Sequence, residues 1–280
     1  MLSSWNEDLL TKCFVQLYIS FYLLAPIPRP ARTSEKQYIT VLPDGTHSLP
    51  QHLPCWYENH VVIKGLSRKG LVRRKDVYQI EAGELFMSVI VPAFNEEQRL
   101  TGMLEEAVEY LQESYSQFGT KSKSSSNGTL RTSSGHGYQT YGWEIIIVSD
   151  GSTDKTVETA LYFARTHQLN KHAAQGGPWN DSLTHGTLPP GSIRVVRLEE
   201  NRGKGGAVTH GMRHARGSYV VFADADGASK FNDLGKLVEA CERVKDKQGR
   251  AVGIGSRAHM VGTEAVVKVC RSTYISKQAG

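Results

Sequence analysis

Cysteine is scarce in this chain. Cys13, Cys55, Cys241 and Cys270 lie far apart and form no CxxC or similar ligand spacing. That excludes a zinc finger and argues against a disulfide framework, leaving a reducing, cytosol-facing environment as the default. The GxxxxGK[ST] phosphate loop and the GxGxxG dinucleotide fingerprint are both missing, so neither an ATPase nor a NAD enzyme is indicated. No basic run interleaved with aromatics occurs, which argues against nucleic acid as a partner. A long hydrophobic run is lacking too. Cys13–Ile27 (CFVQLYISFYLLAPI) offers roughly 15 residues, where a spanning helix needs roughly 17 to 25.

What is present suits a folded enzyme. An apolar fraction of 39% and an aromatic fraction of 9% can build a core in a chain of 280 residues. The net charge of +5 is mildly basic, which suits a phosphate-bearing substrate or an anionic membrane surface. Residues 1–27 are expected as a candidate membrane anchor. Extending the apolar run back to Leu9 reaches spanning length by including Lys12, which can snorkel to the interface. A buried helix or a signal-peptide core is the alternative, although no small-x-small cleavage site follows. If the run inserts, Arg29, Arg32 and Lys36 make the C-terminal flank the more basic one, and the rest of the chain stays in the cytosol. The sequons at Asn127 and Asn180 would then remain bare.

Residues 28–84 mix Pro, Gly and charge without sustained period and read as a linker or stalk with short local structure. Regularity begins at Leu85. LFMSVIVP (85–92), WEIIIV (143–148), 193–198, 219–223 and 251–255 read as strands. Between them lie helical stretches, one with Leu100, Met103, Leu104, Ala107, Val108 and Leu111 on one face and Asn95 as its expected N-cap. Two Ser/Gly/Asn-rich stretches, 114–142 and about 168–191, read as flexible insertions. Strand and helix alternate about five times, which predicts an α/β fold with a mostly parallel sheet flanked by helices. In such sheets ligands bind at the carboxyl ends of the strands. PAFNE, SDGS, NRGKGG and DAD all fall directly after a strand.

Each of these stretches has its own chemistry. Asp224 and Asp226, two apart in an extended segment, project to one side, where two adjacent carboxylates call for a cation between them. Mg²⁺ or Mn²⁺, with oxygen ligands and phosphate oxygens completing the shell, is the natural guest. Asn201–Ala207 (NRGKGGA) sets three glycines around Lys204 ahead of a helix, a phosphate-binding turn. Asp150 can accept hydrogen bonds from a base or ribose, or can simply cap the following helix. Pro92-Ala93-Phe94-Asn95-Glu96 admits the same two readings, nucleotide contact or capping.

In this order VPAFNEE, VSDGSTDKT, NRGKGGAV, FADADGA and GSRA resemble the family 2 glycosyltransferases of the Rossmann-like GT-A fold. The series NRGKGGA, ADADGA and GSRAH is most similar to the members that glucosylate dolichyl phosphate for asparagine glycosylation. The resemblance covers roughly Met87 to His259 and marks 85–260 as the nucleotide-sugar-binding domain. It implies that Pro92, Ala93, Glu96 and Asp150 contact the uridine of UDP-glucose and that Asp224 and Asp226 hold the metal on its diphosphate. Lys204 and Arg257 are implied in phosphate contact or acceptor positioning. Where family members often carry two aspartates this chain has Ser149-Asp150, so only Asp150 is assigned.

The implied reaction is metal-dependent, inverting transfer of glucose from UDP-glucose to dolichyl phosphate at the cytosolic face of the endoplasmic reticulum membrane. The ionised acceptor phosphate needs little activation, and stabilising the departing UDP is the harder part. Residues 261–280 match nothing expected of such enzymes and are read as a divergent tail of a truncated chain. Two alternatives stand beside this reading: a GDP-mannose-using enzyme acting on the same lipid, and a nucleotide-sugar-binding protein without catalysis.

Overall fold

The computed structural model describes residues 29–71, 83–115, 142–173, 188–247, 249–255 and 271–274. The chain divides into two compact units, Met1–Arg32 and Thr33–Gly280, and every element below belongs to the second. In chain order these are β1 (Gln37–Tyr38), β2 (Gln51–His52), α1 (Trp56–Arg68), β3 (Leu85–Ala93), α2 (Leu100–Tyr115), β4 (Trp143–Asp150) and α3 (Thr156–Ala173). They continue with β5 (Ile193–Leu198), α4 (Gly203–Arg213), β6 (Gly217–Phe222), α5 (Leu234–Val244), β7 (Ala251–Ile254) and β8 (Arg271–Tyr274).

The main sheet has the order β5-β4-β3-β6-β8-β7. The first four strands run parallel, and β8 pairs antiparallel with both β6 and β7. This is the α/β, mostly parallel sheet flanked by helices that the alternation predicts. Every residue of β4 is buried, which explains why WEIIIV reads as one apolar run rather than an alternation. The two faces of the sheet feed two cores. Val89, Val91, Ile145, Ile147 and Val195 meet the apolar faces of α2, α3 and α5, including all six α2 residues named above. Ile90, Ile146, Val148 and Val196 point the other way, toward Ala207 of α4 and Leu53. Gly211 lets α4 lie close on that face, since a Cβ there would stand 2.4 Å from Ile90 Cγ2.

Two domain boundaries require correction. Residues 28–84, expected as a linker, contain a segment folded onto the sheet. Ile39 exchanges two 2.9 Å backbone hydrogen bonds with Val195, and Val41 and Leu53 are fully buried. Thr40 Oγ1 donates to Ile193 O at 2.7 Å, and Trp56 Nε1 donates to Met212 O at 2.7 Å. Strands of two residues carry no period, so sequence pattern had nothing to register. Residues 261–280, expected as a tail outside the domain, supply β8, which seats between β6 and β7. The candidate anchor, both sequons and most of the two insertions lie outside the described residues. Among the described residues no helix is long and apolar enough to cross a membrane.

Candidate nucleotide-sugar site

From β3 the chain steps outward through β4 to β5, then returns to the opposite side of β3 to form β6. The carboxyl ends of β3 and β6 therefore flank the topological switch point, where open α/β sheets bind ligands. An open cleft of about 280 Å³ lies there, near the lower end of the size range of small-ligand sites. Pro92 and Ala93 line it from β3, Glu96 from the loop that follows, Asp150 from β4, Lys204 from the start of α4, and Asp224 and Asp226 from the loop after β6. Seven sequence-predicted residues thus share one cleft, joined by Phe94, Asn201, Gly203 and Ala225. Arg257 lies outside the described residues.

The floor of the cleft is two loops bonded to each other. Asn95 adopts the left-handed conformation, φ 56°, and is not the N-cap of α2, which begins at Leu100. Its N–H donates to Ser152 Oγ at 3.2 Å, and its Oδ1 accepts from Thr153 N at 2.9 Å. The amides of Glu96 and Glu97 donate to Thr156 Oγ1 and Asp154 Oδ2 at 2.8 and 3.1 Å, while Lys155 N donates back to Glu97 Oε2 at 2.9 Å. The capping groups of PAFNEE and DGSTDKT are thus exchanged between loops, and Asp154 in addition accepts from Thr156 N at the start of its own helix at 3.0 Å. Sequence reasoning placed Asn95 as the N-cap of α2, because the partner loop that takes its side chain is not visible in the local sequence.

Asp150 is nearly buried and accepts a 2.7 Å hydrogen bond from the Arg202 amide. Burial pushes its carboxyl above the ordinary aspartate range, and the amides of Arg202 and Gly203 pull partly against that. Gly151 (φ 71°) allows this approach, because a Cβ there would lie 2.7 Å from Asn201 N. Arg202 is held in turn by Glu35, a residue sequence reasoning left inside the linker. The Glu35 carboxylate is 1% exposed, ion-pairs with Arg202 and accepts from Glu199 N at 3.1 Å. Its backbone carbonyl accepts from His210 Nε2 at 2.8 Å. Nothing local in SEK advertises this role, which exists only because the segment folds across β5.

The electrostatics of the cleft are lopsided. Four carboxylates, those of Glu96, Asp150, Asp224 and Asp226, line it with Lys204 as the single basic side chain among the lining residues. Glu96 Oε2 and Asp224 Oδ1 are buried without a hydrogen-bond donor. Lys204 forms an ion pair with that same Asp224 oxygen, but the contact lacks hydrogen-bond geometry and leaves the oxygen's directional need unmet. Burial also raises the Glu96 carboxyl above its ordinary value, with Asp226 adding to the rise and Arg99 opposing it. Among the described residues no group of three or more His, Cys, Asp or Glu is arranged to hold a metal unaided. A hard divalent cation that uses one or two carboxylates and completes its shell with water and ligand phosphate fits this donor set.

Residues 88–248 match the family model described as glycosyl transferase family 2. The chain belongs to this family. Among curated relatives, the dolichyl-phosphate beta-glucosyltransferase of Saccharomyces cerevisiae is 34% identical over 93% of this chain and 61% of its own length. The Drosophila melanogaster protein of the same name is 39% identical over 64% of this chain and 43% of its own. The chain thus spans roughly half the length of these relatives. Among solved structures, Staphylococcus aureus TarS 1–349 in complex with UDP-GlcNAc matches with a TM-score of 0.31 and 19% identity, over 60% of this chain and 33% of that one.

Proposed function

We propose that this family 2 chain binds UDP-glucose in the cleft and transfers glucose to dolichyl phosphate, forming dolichyl β-D-glucosyl phosphate for N-glycan precursor assembly. The observation that carries this reading is the set of four carboxylates and one lysine at the switch point, with a buried, unsatisfied oxygen on Asp224. A cleft so acidic repels a diphosphate on its own and accepts one together with a divalent cation. Mg²⁺ or Mn²⁺ held by Asp224 and Asp226 would neutralise charge on the departing diphosphate.

The chain's own groups supply the rest. Pro92, Ala93, Glu96 and Asp150 receive the uridine, with Asp150 accepting from a base or ribose donor. Lys204, at the N-terminal end of α4, receives phosphate oxygens beside the positive end of the helix. An oxygen of the dolichyl phosphate attacks the glucose anomeric carbon as the bond to the UDP oxygen breaks, with inversion, and the electron pair leaves on UDP. No general base is required, since the acceptor phosphate is already ionised. The names of the relatives support glucose and dolichyl phosphate as the substrates, and a place at the endoplasmic reticulum membrane with the cleft facing the cytosol is part of the same proposal.

Calorimetry of UDP-glucose binding with and without Mn²⁺, on wild type and Asp226→Asn, tests the donor half. Metal-dependent binding that the substitution abolishes is the expected result, with GDP-mannose binding more weakly than UDP-glucose. Absence of binding in the wild type would remove the functional claim and leave the family alone. Radiolabelled glucose transfer to dolichyl phosphate by the purified chain tests the acceptor half.

A further inference from the structure

We infer that Lys204 is a stand-in cation, which occupies Asp224 while the cleft is empty and exchanges it for the diphosphate when metal and nucleotide arrive together. The inference rests on reading the cleft as a metal–diphosphate site and adds a competition that the reading does not contain. The Asp224 side chain, in the loop after β6, is 9% exposed, whereas the Lys204 side chain is 51% exposed. The anion is therefore poorly solvated, and the cation that answers it is on a solvent-facing stem. The pairing offsets the Asp224 charge without giving its Oδ1 a directed hydrogen bond, so it is a contact that a better partner displaces.

The surroundings permit the exchange. Gly203 and Gly205 flank Lys204, and a side chain at either would meet open space. The Phe222 ring lies 5.8 Å from its Nζ and offers a face along which the ammonium can move. Lys204 also stands in the first turn of α4, where a bound diphosphate would meet the helix N-terminus. An ammonium seated on that oxygen and a divalent ion on the same carboxylate repel each other at close range. In the empty cleft Lys204 and metal therefore oppose each other, and with a diphosphate present both are accommodated. Because coupling between two ligands is reciprocal, UDP that draws Lys204 away tightens metal binding by the same factor by which metal tightens UDP.

Binding of Mn²⁺ to the full chain, read from the free-ion electron paramagnetic resonance signal with and without UDP, tests the exchange on wild type, Lys204→Met and Lys204→Gln. Without UDP, both variants are expected to bind Mn²⁺ about fivefold tighter than wild type, the scale of losing one partly exposed ion-pair competitor. In the presence of Mn²⁺ both bind UDP more weakly, so the two affinities move in opposite directions. A lysine with only a structural role would not cross the signs. Equal or weaker Mn²⁺ binding in the variants overturns the inference and leaves Lys204 as a plain phosphate ligand. Absence of Mn²⁺ binding in all three proteins, even with UDP, overturns the metal reading and this inference with it.

Discussion

Glu35 buries a carboxylate against the one arginine of the Asn201–Ala207 loop, and a charge of that kind is costly once its partner is gone. Glu35→Gln keeps the shape but leaves the Arg202 guanidinium without its counter-charge. It is expected to cost about 3 kcal/mol in urea unfolding and to weaken UDP binding, because Arg202 also supplies the amide that meets Asp150. His210 makes a prediction of the opposite electrical kind. Burial, with His214 4.8 Å away, pushes its imidazole down to about 4 from 6.5. Between those values the unfolded chain takes up a proton that the folded chain refuses, so stability is intact above pH 6.5 and falls as pH drops toward 4. The loss is at most about 3 kcal/mol. Melting temperature measured from pH 7 to 4 should show this slope, and His210→Gln should flatten it.

Among the elements, α4 is the one whose seating controls the cleft, since it begins at Gly203 and carries Lys204. Gly211→Ala would drive a methyl into Ile90 and Val148. The gain in helix propensity, about 1 kcal/mol, offsets part of an overpacking cost of about 1–3 kcal/mol. A net loss of about 1 kcal/mol in denaturant unfolding is expected, with reduced nucleotide affinity as the first turn shifts. A stabilised variant with unchanged affinity would show that α4 has room to spare. The apolar faces of α2 and α5 were legible in the sequence because a 3.6-residue period reports burial directly. The end of the turn before α2 was not. Asn95 has the composition of a cap, and whether its oxygen turns to its own helix or to the DGST loop depends on a chain segment more than fifty residues away.

At the scale of the whole molecule, Thr33–Leu53 behaves as part of the domain, with Val41 and Leu53 fully buried and Ile39 extending the sheet beyond β5. A chain beginning at Thr33 is expected to retain the unfolding free energy of the domain. One beginning at Gly83 is expected to lose about 5 kcal/mol or to fail to fold, as two buried aliphatic side chains and the Glu35 contacts vanish together. Equal urea midpoints for the two would restore the linker reading of 28–84. The sequence by itself determined the α/β class, the parallel core strands, the buried helix faces and the strand-end motifs of the cleft, from which the family resemblance picked seven residues. Local periodicity and the rule that ligands bind at strand ends need no knowledge of distant partners. Only the tertiary structure decided that Glu35 reaches Arg202, that Asn95 serves another loop, that Lys204 answers Asp224, and that residues 271–274 close the sheet between β6 and β7. Each of these joins residues far apart in the chain, through single charges or strands of two to four residues, and contacts so short leave no repeating pattern for a sequence to display.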